Sequence, residues 1–184
     1  GKTAYVRYIA EAMGMDILQK RASDLMSKWV GETEQKISEA FENARSSGRF
    51  LVFDEADSLL QDRSGAKRSW EISQVNEMLT WMEVHDLPFA CTTNLVGTLD
   101  RASLRRFTFK VGFESLTKIQ VRLAFTHYFG LKSPFQLDNV GDLTPGDFAV
   151  VKTKAQILRV DDKPDQLIQM LKKEADMKFG KTSP

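Results

Sequence analysis

Short uninterrupted apolar runs alternate along this chain with stretches in which apolar residues return every three or four positions, and the alternation stops near Phe113. The unbroken runs predict strands buried on both faces of a parallel sheet, and the returning positions predict the helices that cover them. The strongest run, Phe50 to Phe53, passes straight into Asp54 and Glu55. Met15 to Lys20, apolar at Met15, Ile17 and Leu18, reads as another strand. Phe89 to Thr93 reads as a third, and Phe107 to Phe113, with alternating apolar positions, as a final one. Between them, Val6, Ile9 and Met13 keep one helix face apolar until Gly14, and Ile37, Phe41 and Ala44 mark a helix from about Glu32 to Ser47 that Gly48 stops. Ile72, Val75, Leu79 and Met82 predict a further helix over Trp70 to Glu83.

From Glu114 onward only helical periods remain. Ser115 to Phe129 reads as a helix with Leu116, Ile119 and Leu123 on its apolar face, closed by Gly130. Thr144-Pro145 is a cap followed by proline at the first helical position, and Phe148, Val151, Ala155 and Leu158 continue that helix. A third begins near Pro164 with Leu167, Leu171 and Ala175, and residues 180–184 read as a frayed end. The expected organisation is an α/β part over residues 1–113 followed by a helical part over 114–184.

Composition narrows the classes. The 184 residues can bury a real core, and a net charge of +1 with 28% charged residues provides no basic field for nucleic acid. One cysteine, Cys91, excludes an internal disulfide framework and is most simply a small core residue. No apolar run approaches the roughly 20 residues needed to span a bilayer, so a cytoplasmic protein is expected. His85 and Asp86 read as helix-terminus residues, and with only 2 histidines a metal cluster is not expected.

The candidate chemistry gathers where strands end. Ligands of open α/β sheets collect at the carboxyl ends of the strands, where Asp54 and Glu55 stand. In nucleotide hydrolases the first of two such acids serves Mg²⁺, usually through water, and the second orients and deprotonates the attacking water. A strand that turns into a solvated loop can end the same way. Gly1-Lys2-Thr3 before a helix is the tail of the phosphate-binding loop G-x-x-x-x-G-K-[ST], although three of its eight positions taken alone are also a plausible coincidence. Asn94 either caps a strand-to-loop turn or holds a water or phosphate oxygen beside the acids. Arg105 and Arg106 are either surface solubilisers or wait for an anion from a neighbouring subunit. Trp29, followed by Val30 and Gly31, is either packed under its loop or exposed to grip something, and the basic stretch 61–69 reads as a solvated loop.

Taken in order and spacing, these segments resemble the ATPases associated with diverse cellular activities, the AAA family. Gly1-Lys2-Thr3 is similar to the end of Walker A, Leu51 to Glu55 to Walker B, and Thr93-Asn94 to sensor 1. Leu99 to Phe107, LDRASLRRF, resembles the arginine-finger segment, and Lys28 to Glu32 the aromatic pore loop of a hexameric ring. Leu143 to Phe148 sits where the family's helical lid has its small-residue helix start. The resemblance implies a P-loop NTPase-type three-layer αβα sandwich with a mostly parallel sheet, followed by a small α-helical lid. It implies ATP and Mg²⁺ as cofactors, with Gly1, Lys2, Thr3 and Asp54 binding them and Thr3 and Asp54 serving the metal. Glu55 would polarise water, Asn94 would position it, and Arg105 and Arg106 would reach a neighbour's γ-phosphate. Trp29, Val30 and Gly31 would grip a protein substrate, with 61–69 as a second channel loop.

Two departures qualify the match. The finger arginines are adjacent where the family usually separates them with Gly or Pro, which leaves open which one acts in trans. The chain also starts inside Walker A, without the strand that lies mid-sheet in the family order 5-1-4-3-2. Each unmade buried hydrogen bond costs about 1 to 3 kcal/mol. A fragment with a gapped, rearranged or borrowed sheet is therefore expected, binding nucleotide poorly and weak or inactive by itself. The leading function is ATP-driven remodelling or unfolding of proteins in a ring. The alternatives are a DNA-associated ATPase of the clamp-loader or helicase-loader type and a non-catalytic scaffold.

Overall fold

A computed structural model describes residues 1–62 and 69–178. Of the basic stretch 61–69, residues 63–68 lie outside the described residues, as does the terminal stretch 180–184. The chain divides into two compact units, one over Lys2–Val111 and one from Gly112 onward that also takes in Gly1.

The first unit runs α1 (Lys2–Ala12), β1 (Ile17–Arg21), α2 (Ala22–Leu25), α3 (Glu32–Ser47), β2 (Phe50–Asp54), α4 (Ser69–Val84), β3 (Phe89–Cys91) and α5 (Arg101–Arg106), with a 3₁₀ turn at Ala56–Leu59. Among the described residues the sheet has three strands in the order β1-β2-β3, parallel throughout. Its register sets Arg21 opposite Asp54, and Phe53 opposite Cys91. The central run is apolar on both sides because β2 is covered on both faces. Leu51 and Phe53 join a core with Ile37 and Phe41 of α3 and with Val75, Met78, Leu79 and Met82 of α4. Phe50 and Val52 turn the other way, onto Ala10 with Val6 and Ile9 of α1. Helices thus flank the sheet on both sides, and the three-layer αβα arrangement delivers the end of β2 to an open edge. Cys91 packs against the larger core, where burial pushes its thiol pKa up and leaves it an inert thiol.

Several expectations for this unit need correction. Phe107 to Phe113 forms no strand: a strand is held by a neighbour's N–H and C=O groups, and the described residues supply no ladder here. Its Phe109 and Val111 stay exposed. Strand β3 ends at Cys91, and Thr92 and Thr93 already belong to the turn that follows. In α4, Ile72 is exposed and Met78 takes a place in the core beside Val75, Leu79 and Met82.

The second unit is built from α6 (Lys118–Phe129), α7 (Pro145–Leu158) and α8 (Pro164–Lys178), with a 3₁₀ turn at Phe135–Asn139. Helix α6 starts later than its apolar period implies because Thr117 caps it: the Gln120 N–H donates to Thr117 Oγ1 at 3.4 Å, and the Thr117 N–H donates to Gln120 Oε1 at 2.9 Å. Its buried face is also not the expected one. Ile119 and Leu123 are exposed, and Val121 and Phe125 enter the core with Phe148, Val151, Ala155, Leu167, Leu171 and Ala175. Leu158, expected on the inner face of α7, is exposed as well. The start of α7 is tied by Asp147, which accepts the Thr144 N–H at 2.6 Å and pairs with Lys178 of α8.

Candidate active site

The site lies in the first unit, where α1 begins and where β2 and β3 end. Strand β2 carries Asp54 out of the core half-buried, and the chain then turns through the left-handed region at Glu55, φ 55° and ψ 46°. A residue with a side chain rarely adopts that conformation, and here it leaves Glu55 exposed at the sheet edge. Gly1 is exposed and stands just before α1. Lys2 and Thr3 are the first residues of α1, so the end that presents unpaired N–H groups also presents an ammonium and a hydroxyl.

Residues far apart in the chain meet at this edge. Lys2 Nζ donates to Asn94 Oδ1, and Thr3 Oγ1 donates to Asp54 Oδ1 at 3.2 Å. Two further groups that sequence reasoning missed also hold Asp54: Gln19 Nε2 donates to Oδ2 at 3.0 Å, and the Thr92 hydroxyl donates to Oδ1. Gln19 stands two residues before Arg21, the register partner of Asp54, and so shares its face of the sheet. The available signal was a polar residue in each of the two stretches expected as strands, Met15 to Lys20 and Phe89 to Thr93, since a buried amide or hydroxyl needs a partner. Next to Asn94, the Thr93 hydroxyl donates to Asp57 of the 3₁₀ turn and accepts the Leu95 N–H at 2.9 Å.

The Thr3 hydroxyl and the Asp54 carboxylate are hard oxygen donors side by side, the set that suits Mg²⁺. Among the described residues no group of three or more His, Cys, Asp or Glu is placed to hold a metal unaided. A cation here would draw its remaining ligands from phosphate oxygens and water, as Mg²⁺ does in phosphoryl-transfer sites.

The other predicted residues stand apart from this cluster. Arg105 is exposed at the last turn of α5. Arg106 is half-buried and engaged within its own unit, paired with Glu83 of α4 and donating to the Ala102 carbonyl at 3.1 Å. Trp29 and Val30 are 74% and 87% exposed. Their loop is braced from beneath: the Ser27 N–H donates to the buried Thr33 hydroxyl at 3.0 Å, and the Trp29 N–H donates to Ser27 Oγ at 3.1 Å. Gly31, at φ 88°, turns the chain into α3 in a conformation that favours glycine. With Trp70 and Gln74 of α4, the loop lines an open cavity of about 300 Å³.

Comparison with known proteins gives a consistent result. Residues 1–115 match the family described as ATPase family associated with various cellular activities (AAA). Spastin from Drosophila grimshawi is 33% identical over 155 residues, 78% of this chain and 19% of that protein. The cell division cycle protein 48 homolog of Archaeoglobus fulgidus is 32% identical over 111 residues, 57% of this chain and 15% of that one. The ATPase family gene 2 protein of Saccharomyces cerevisiae is 32% identical over 109 residues, 56% of this chain and 14% of that protein. The chain thus spans less than a fifth of the length of each of these relatives.

Proposed function

This chain belongs to the AAA family of ATPases, and from that premise we propose that it is the ATP-binding and ATP-hydrolysing module of a larger protein that remodels or unfolds protein substrates in a ring, hexameric in form. Residues 1–113 serve as its α/β core and 114–184 as its lid. The observation that carries the reading is the meeting of four predicted site residues in two pairs, Lys2 with Asn94 and Thr3 with Asp54, at the edge where ligands of α/β sheets collect.

The division of labour follows from the groups present. Lys2, at the N-terminus of α1, neutralises the β and γ phosphates together with the helix's free N–H groups. Thr3 and Asp54 hold Mg²⁺, which neutralises charge on the triphosphate when bound. Glu55, exposed beside Asp54, takes the proton of the attacking water, and Asn94 orients that water once ATP draws Lys2 away from its amide. The transition state spreads negative charge over the transferred phosphoryl, and a guanidinium from a neighbouring protomer answers it. Arg105 is the residue that supplies this group, because its side chain is exposed while Arg106 is committed to Glu83. Trp29 and Val30, raised on a braced loop, contact the protein substrate.

Glu55→Gln in the full-length protein tests the assignment. The amide keeps the shape and loses the base, so ATP hydrolysis falls by on the order of 10² to 10⁴ while ATP binding is retained. Steady-state hydrolysis with nucleotide titration measures both, and undiminished turnover in the variant would refute the role given to Glu55.

A further inference from the structure

We propose that Thr92 is the positioning residue of the acid pair: one buried hydroxyl sets both the Asp54 carboxylate and the Glu55 backbone. The proposal rests on the reading of Asp54 and Glu55 given above. Thr92 follows β3 directly and is 5% exposed. Its N–H donates to the Phe53 carbonyl at 2.9 Å, and its own carbonyl accepts the Ala56 N–H at 2.9 Å. Between these two backbone bonds its hydroxyl donates to Asp54 Oδ1 and accepts the Glu55 N–H at 3.2 Å. Phe53, Asp54, Glu55 and Ala56 are therefore each tied to this one residue as the chain leaves the sheet.

A hydroxyl has one proton to give and lone pairs to receive. Giving the proton to Asp54 leaves a lone pair for the Glu55 amide, so both contacts coexist and each favours the other. The consequence for Asp54 is restraint at both oxygens, since Gln19 Nε2 holds the other one at 3.0 Å. The consequence for Glu55 is a bond at the residue whose left-handed backbone most needs one, because such a conformation persists only where its surroundings over-determine it. An apolar side chain of the same shape would fill the buried space equally well, so packing alone does not account for a hydroxyl here.

Thr92→Val, which keeps the shape, and Thr92→Ser, which keeps the hydroxyl, separate positioning from packing in the full-length protein. Thr92→Val lowers ATP turnover and raises the Mg²⁺ concentration for half-maximal hydrolysis, each on the order of 10-fold, as loss of a group that orients a metal-serving carboxylate does. The KM for ATP changes little, and Thr92→Ser restores turnover. A Thr92→Val protein that turns over like wild type, or a Thr92→Ser protein as impaired as Thr92→Val, overturns the proposal. Hydrogen exchange supplies a readout independent of activity: the Glu55 amide exchanges faster in Thr92→Val and not in Thr92→Ser, while the Ala56 amide, bonded to a backbone carbonyl, stays protected in both. Should the wild-type protein hydrolyse no ATP, the functional reading of the acids fails, and exchange still decides the role of Thr92, with an unchanged Glu55 amide counting against it. If Thr92→Val does not fold, Thr92→Ala takes its place, since it removes the hydroxyl without introducing any new group.

Discussion

Arg105 and Arg106 are neighbours in the chain and face different surroundings, so exchanging each for alanine reads out different physics. Arg105→Ala leaves the fold untouched and, in the assembled full-length protein, lowers hydrolysis by on the order of 10³. Arg106→Ala breaks the pair with Glu83 and destabilises the first unit by about 1 kcal/mol, the scale of a partly exposed ion pair. Hydrolysis assays alongside denaturant unfolding check both, and the reverse pattern would move the trans role to Arg106. The sequence placed both arginines at a short helix end but could not divide them, because the division depends on a glutamate 23 positions away.

His85 is a second case decided by its neighbours. It packs edge-on against Phe41 and Phe89, and neither of its buried ring nitrogens has a hydrogen-bond partner. Burial lowers its pKa, Asp86 opposes that shift and Arg45 adds to it. A histidine with a depressed folded pKa binds its proton more readily when unfolded, so its contribution to stability is intact above the usual value of 6.5 and is lost as pH falls below it. His85→Leu therefore flattens the loss of unfolding free energy between about pH 7 and pH 5. Denaturant titrations at pH 7, 6 and 5 measure it, and parallel slopes for the two proteins would remove His85 as the cause.

At the scale of elements, the strands and long helices were legible where one periodicity dominated. Strand β2 is apolar at every position before Asp54, and α3 repeats its core residues at Ile37, Phe41 and Ala44, so each has one way to be buried. Helix α6 carries apolar residues on more than one face, and its period admits the Ile119–Leu123 stripe as readily as the Val121–Phe125 one. What decides is aromatic packing: Phe125 meets Phe129 at 4.9 Å between ring centroids, and Phe129 in turn approaches Phe148 of α7 at 6.2 Å. Phe125→Ala accordingly costs about 3 to 5 kcal/mol, the range for truncating a buried phenylalanine. Ile119→Ala and Leu123→Ala each stay within about 0.5 kcal/mol, as exposed positions do. Thermal unfolding of the three variants distinguishes the faces, and equal losses would mean that the exposed stripe is packed after all.

At the scale of the whole molecule, the proposed trans role of Arg105 would make hydrolysis a property of the assembly. Specific ATPase activity of the full-length protein is expected to rise with protein concentration through the range in which protomers associate, because an isolated protomer lacks the neighbour's guanidinium. Activity measured against concentration, with sedimentation to follow association, tests this, and full activity in a strictly monomeric protein would eliminate the shared site.

The sequence by itself determined the alternation of strands and helices up to Arg106, the helices of the second unit, and the positions of the acid pair, the Gly1-Lys2-Thr3 segment and Asn94. These are local properties, written as period, cap and motif over a few neighbouring residues. Only the tertiary structure decided that Phe107 to Phe113 forms no strand, that Arg106 turns to Glu83, and that Gln19 and Thr92 hold Asp54. Each of those outcomes depends on a partner brought close by folding, and hydrogen bonds and close packing act over a few ångströms of space regardless of how far apart their residues stand in the chain.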